Sequence, residues 1–153
     1  MIYDHVKEFL VNKDVKSMEI ISALLHEIPS FLSYMGTALV LTALYMVIYM
    51  WVTPHQEIKL IRENNIAAAF ALVGSLIGFC MPLASAIANS ISLVDCALWG
   101  LVALIVQIAI FYLVGLPIPK ISERIERGDI AAGVWLGSAS LAGGLLNAAS
   151  MTS

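Results

Sequence analysis

The run Asn64-Asn65-Ile66-Ala67-Ala68-Ala69-Phe70-Ala71-Leu72-Val73-Gly74-Ser75-Leu76-Ile77-Gly78-Phe79-Cys80-Met81-Pro82-Leu83-Ala84-Ser85-Ala86-Ile87-Ala88-Asn89-Ser90-Ile91-Ser92-Leu93-Val94 carries no charge at any position. Three further uncharged stretches flank it, over 28–56, 96–119 and 130–153. A helix needs about 20 apolar residues to cross about 30 Å of hydrocarbon. Each stretch is long enough. Together they predict an all-α polytopic membrane protein, with transmembrane helices over 31–52, 66–90, 97–117 and 130–150. The runs are continuously apolar and do not alternate with period two, so helices are predicted over barrel strands.

Composition agrees. Of the 153 residues, 60% are apolar and 12% charged, against about 25% charged in a soluble domain. Mean hydropathy is +0.90. A net charge of −3 with eight Lys and Arg spread thinly leaves no basic patch for nucleic acid. No cleavable signal peptide is expected, because the first apolar run starts near Ile28 without a basic region leading into it. Lys59 and Arg62 follow the first predicted span, and Lys120, Arg124 and Arg127 follow the third. The positive-inside rule then puts both loops in the cytoplasm and both termini outside. Lys7, Lys13 and Lys16 oppose that assignment.

Placing residue 65 on residue 129 lays one half of the chain on the other. Asn65-Ile66-Ala67-Ala68-Ala69 falls on Asp129-Ile130-Ala131-Ala132-Gly133, Gly36 on Gly100, Ile61 on Ile125, Leu72 on Leu136 and Ala84 on Ala148. Repeats of two crossings share one orientation, which predicts two parallel two-helix repeats, 31–94 and 95–153, related by an axis along the membrane normal. The joint within each repeat reads as a short interfacial helix. In the first, Thr53 is the expected N-cap, Pro54 the first helical residue, and His55 an early residue of the turn. Ile58 and Ile61 form one side, and Glu57, Lys59, Arg62 and Glu63 the other, with Lys59 and Glu63 spaced for a pair. In the second, Pro119 opens the turn, Glu123 and Arg127 are paired, and Gly128 takes the left-handed end position. Asn65 and Asp129 cap the helices that follow. These charges read either as solvated faces at headgroup depth or as a docking surface.

The second and fourth spans are rich in small residues. Gly74 and Gly78 in one, and Gly133, Gly137, Gly143 and Gly144 in the other, let backbones approach closely, which drives helix association in lipid. These two helices are expected at the centre, the bulkier first and third toward lipid, with the small faces either purely for packing or also lining a pathway. Pro82 predicts a kink; Asn89 and Asn147 lie toward the outer helix ends. No ionisable residue falls within a predicted span, unlike ion-coupled carriers. His5, His26 and His55 are scattered, and Cys80 and Cys96 have no metal or redox spacing. No catalytic, cofactor or metal set is expected. Residues 1–30 are a separate segment, with Met18, Ile21, Leu25 and Ile28 forming the stripe of an amphipathic surface helix that Pro29 should end.

The joint T-P-H-Q-E…L-I-R-E-N-N-I-A-A-A (53–69), the run P-L-A-S-A-I (82–87) and the ending A-G-G-L-L-N-A-A-S-M-T (142–152) together resemble the Domain of Unknown Function 350 family, in particular its YjfL-like bacterial inner-membrane proteins. The similarity covers about residues 35–153. It implies four helices in two repeats, a bacterial inner-membrane location, and gene neighbourhoods shared with phage-shock-type membrane-stress proteins. The family has no established activity, so it supplies no catalytic residue; the longer N-terminal tail departs from it. Two functions are therefore expected in competition. One is a non-enzymatic homo-oligomeric scaffold for envelope maintenance, embedded in the lipid bilayer and working with a membrane-stress protein. The other is a small oligomeric channel or facilitator for an ion or small solute.

Overall fold

The computed structural model describes residues 2–53 and 56–152, with side chains at residue 13 and from residue 15 onward within those ranges. Pro54 and His55 lie outside the described residues, as does the side chain of His5. Among the described residues the helices are, in order, α1 (Ile2–Val52), α2 (Glu57–Arg62), α3 (Ile66–Asn89), α4 (Leu93–Gly115), α5 (Ile121–Glu126) and α6 (Ile130–Ser150). Four stretches among the described residues are long and apolar enough to cross a membrane: Val15–Val52, Ile66–Asn89, Leu93–Gly115 and Ile130–Ser150. The chain divides into two compact units, 1–36 and 37–153.

Pro29 does not end a helix, contrary to expectation; α1 runs through it. Proline removes one backbone hydrogen bond, the one that would reach the Leu25 carbonyl, but leaves those on either side. Met18, Ile21, Leu25 and Ile28 are all exposed, as are Ile20 and Leu24 between them, so no single face is set apart by burial.

The two joints, one in each half, have matching geometry. Helix α2 covers 57–62 and α5 covers 121–126. Each is followed by a left-handed residue, Asn64 at φ 63° and Gly128 at φ 79°, a conformation that glycine adopts freely and asparagine tolerates. The next residue caps the following helix: Asn65 accepts from the Ala68 amide at 3.0 Å, and Asp129 from the Ala132 amide at 3.3 Å. The reversals are closed by equivalent backbone bonds, Asn65 to Leu60 at 2.9 Å and Asp129 to Arg124 at 3.0 Å.

Within 37–153, α3 and α6 lie against each other along their small residues. A methyl group added at Gly74 would strike the Gly137 backbone, one at Gly133 the Ala67 backbone, one at Gly137 the Phe70 carbonyl, and one at Gly144 the Gly78 backbone. Partners advance together along both helices, so the two run parallel. Helix α4 packs on one flank of this seam, with Ile110 against Gly143 and Gln107 against Gly78. Leu41 of α1 fills the space beside Gly100 of α4.

At these glycines the seam tolerates no Cβ. Gly144→Ala and Gly133→Ala should each lower stability by about 1–3 kcal/mol, the range for overpacking a tight interior. Gly36→Ala, with nothing within 4 Å of the added carbon, should leave it unchanged. Thermal unfolding in one detergent or nanodisc system reads all three.

Candidate functional site

Helices α3 and α6 both start at the end of the bundle that carries the joints, and there the two halves are tied together. The Asn65 amide nitrogen donates to the Ile125 carbonyl at 2.8 Å and the Glu126 carbonyl at 3.2 Å. These belong to the last turn of α5, whose carbonyls have no partner within their own helix. Asn65 thus caps two helices at once, accepting with its oxygen for α3 and donating with its nitrogen for α5. Asp129, at the equivalent position, cannot donate. It takes the Arg124 guanidinium instead, at 2.7 Å.

The second joint is internally neutralised. Lys120 and Arg127 each pair with Glu123 at 3.2 Å, and Arg124 pairs with Asp129. Among the described residues, Lys59 and Arg62 of the first joint make no ion pair. The expected Lys59–Glu63 bridge does not form, whereas Glu123–Arg127 at the equivalent positions does. Acid before base along a helix is the favoured order and base before acid is not.

Two further expectations for this joint are corrected. Glu57, expected on a solvated face, is 1% exposed. Thr53, expected to cap a helix beginning at Pro54, leaves that place to Gln56. Its hydroxyl instead serves the end of α1, lying 2.9 Å from the Tyr49 carbonyl, and faces the Glu57 carboxylate at 3.4 Å. The Tyr49 carbonyl thus accepts from both the amide and the hydroxyl of Thr53, the amide at 2.9 Å. The inward turn of Glu57 then leaves the outer surface of α2 to Lys59 and Arg62.

Deeper in the bundle lies a buried polar set of which the sequence showed only part. The Tyr45 and Ser75 hydroxyls are hydrogen-bonded, and the Gln107 amide donates to the Ser140 carbonyl at 3.2 Å and the Ser75 carbonyl at 3.4 Å. Tyr45 stacks on Phe79 with ring centroids 4.3 Å apart, and Tyr49 meets Phe111 edge-on at 5.7 Å. Among the described residues, the Gln107 oxygen and the Ser140 hydroxyl find no hydrogen-bond partner. Sequence reading missed both tyrosines. Their i,i+4 spacing within the first span was the available signal.

The residues expected to mark a pathway are not brought together. Helix α3 continues through Pro82, which is buried. The carbonyl that this proline leaves without a donor is that of Gly78, and Gly144 packs directly on it, so Pro82 serves the seam. Asn89 is exposed and donates to the Ser85 carbonyl in its own helix at 2.8 Å. Asn147 is half-buried on α6, with its amide nitrogen unpartnered. On the flank of the seam opposite α4, Phe70, Val73, Val134, Ser138 and Leu141 line an open groove of about 300 Å³. Among the described residues, no three His, Cys, Asp or Glu side chains converge.

Residues 23–151 match the family described as Domain of Unknown Function (DUF350). The chain belongs to this family. It is 41% identical over 135 residues to the UPF0719 inner membrane protein YjfL of Escherichia coli (strain K12), covering 88% of this chain and 99% of that protein. The same figures hold for the protein of that name from Escherichia coli O157:H7. No solved structure matches. The match begins at residue 23, inside α1, and covers both joints and the whole α3–α6 seam. With its four apolar helices, this DUF350 chain is a multi-pass inner-membrane protein.

The joint yields two predictions. Asn65→Asp should keep the cap on α3 and lose both bonds to α5, costing about 1–2 kcal/mol; Asn65→Ala should cost more by the loss of the cap, about 1 kcal/mol. Paired thermal melts of the two variants measure the difference. Asp129 is held below the ordinary carboxylate value, first by the Arg124 hydrogen bond and then by the Ala132 amide. A carboxyl lowered in the folded state contributes stability that is complete above the unfolded value and lost as pH falls through the folded one. Asp129→Asn should therefore flatten the pH dependence of stability below about pH 4, as seen in melts across an acid series.

Proposed function

We propose that this protein is a non-enzymatic, homo-oligomeric scaffold of the bacterial inner membrane, built from two copies of one helix–joint–helix unit and acting in envelope maintenance with a membrane-stress protein. One observation carries the reading: the centre of the bundle is filled by backbone-to-backbone contact between α3 and α6. Close packing of this kind supports a structural part over a conduit through a single chain. The glycine faces are used within the chain, so self-association falls to the open flank, where Phe70, Val73 and Val134 are exposed. Lys59, Arg62, Lys120, Arg124 and Arg127 support, by the positive-inside rule, joints in the cytoplasm and both termini outside. There the joints are available to a peripheral partner.

A second reading, a facilitator for an ion or small solute, draws on the buried Tyr45, Ser75, Gln107 and Ser140. Buried polar atoms left without a protein partner are commonly hydrated, and a hydrated interior is where a path would begin.

Cys80 is exposed on α3, one and two turns beyond Ile77 and Val73, while Cys96 is buried. Mild oxidation of native membranes should give a disulfide-linked dimer that Cys80→Ser abolishes and Cys96→Ser preserves. A monomer throughout, also with cysteine placed at Val73 or Val134, would overturn the oligomer. Unchanged stress sensitivity in a deletion strain would overturn the envelope role. Ion flux through the reconstituted protein at either polarity would favour the facilitator.

A further inference from the structure

The two joints are alike in backbone and unlike in charge. All three cations of the second joint are paired with Glu123 or Asp129. Lys59 and Arg62 of the first, among the described residues, carry no ion pair. They share a cavity of about 330 Å³ with Gln56, Met50, Ile58 and Glu57. Each part of this lining bears on what it can hold. The Glu57 carboxylate is turned inward toward the Thr53 hydroxyl, which leaves the two cations at the mouth. Met50 and Ile58 supply an apolar wall and are themselves exposed. Trp51, next to Met50 at the end of the first span, is 91% exposed, and tryptophan in that place marks headgroup depth. A neighbouring recess, lined by Lys59, Glu63 and Glu126 among others, carries two carboxylates and suits no anion.

A site with two cations unpaired among the described residues, an apolar wall and a position at the membrane interface fits one class of ligand. We propose that this cavity binds the phosphate of an anionic phospholipid headgroup, with Lys59 and Arg62 on the phosphate and an acyl chain descending past Met50. Arginine gives paired donors to phosphate oxygens, and lysine adds a point charge. The inference rests on the membrane location alone and stands or falls apart from the scaffold reading.

The test uses the full-length protein in phosphatidylcholine nanodiscs doped with phosphatidylglycerol, reading lipid retention by native mass spectrometry. Retention should favour phosphatidylglycerol. Lys59→Gln or Arg62→Gln should weaken it about fivefold each and the double variant about 25-fold, following the usual gain per basic residue at an anionic surface. Lys120→Gln/Arg127→Gln, which removes the same formal charge from the paired joint, should leave retention within about twofold on the same scale. Equal loss in both double variants would show a general surface-charge effect and overturn the site, as would no preference between the lipids. Saturable binding of inorganic phosphate in pure phosphatidylcholine, with no lipid preference, would assign the cavity to a soluble phosphate and overturn the lipid source.

Discussion

The architecture depends on the contact between the Gly78 carbonyl and Gly144. Pro82 leaves that carbonyl without its helical donor, and in a membrane core an unserved carbonyl has no water to turn to. Gly144 brings backbone onto it, an approach that any Cβ would block. Lipid tails are as apolar as leucine, so helices gain little from apolar area when they associate and rely on close van der Waals packing. Glycine and alanine along both helices make that packing available from Ala67·Gly133 to Gly78·Gly144. Helix α4 and the end of α1 then have a rigid surface to pack on, and Gln107 meets carbonyls of both α3 and α6 only because the two are already adjacent.

The same seam explains the asymmetry of the flanks. On the α4 side, Gly143 and Gln107 find partners. On the opposite side, the groove at Phe70 and Val134 stays open. Tyr45 and Tyr49 of α1 join Phe79 and Phe111 in an aromatic cluster beside α4. At the joint end, the substitution of aspartate for asparagine divides the roles further. Asn65 bridges to α5, and Asp129 binds Arg124 within its own joint.

Charge placement alone made the four spans legible, because a gap in charge of about 20 residues has few other physical causes in a chain this apolar. Both ends of the last three spans, and the C-terminal end of the first, agree with the structure to within a few residues. The caps at Asn65 and Asp129 were legible for a related reason: a side-chain oxygen beside the first helical residue acts locally, without tertiary help. Pro29 shows the limit of local reasoning. Proline weakens a helix by one bond, but apolar sequence on both sides keeps the helix going.

What the sequence determined by itself was therefore whatever depends on single helices and the membrane: spans, caps, the left-handed turns and the small-residue stripes. Only the tertiary structure decided which surfaces those stripes meet, that Glu57 faces inward, that Tyr45 and Gln107 share Ser75, and that Lys59 and Arg62 make no ion pair among the described residues. Those outcomes depend on how helices distant in sequence are set against one another. Helical periodicity states which residues share a face, but the identity of the facing residues is a property of packing between segments from opposite halves of the chain.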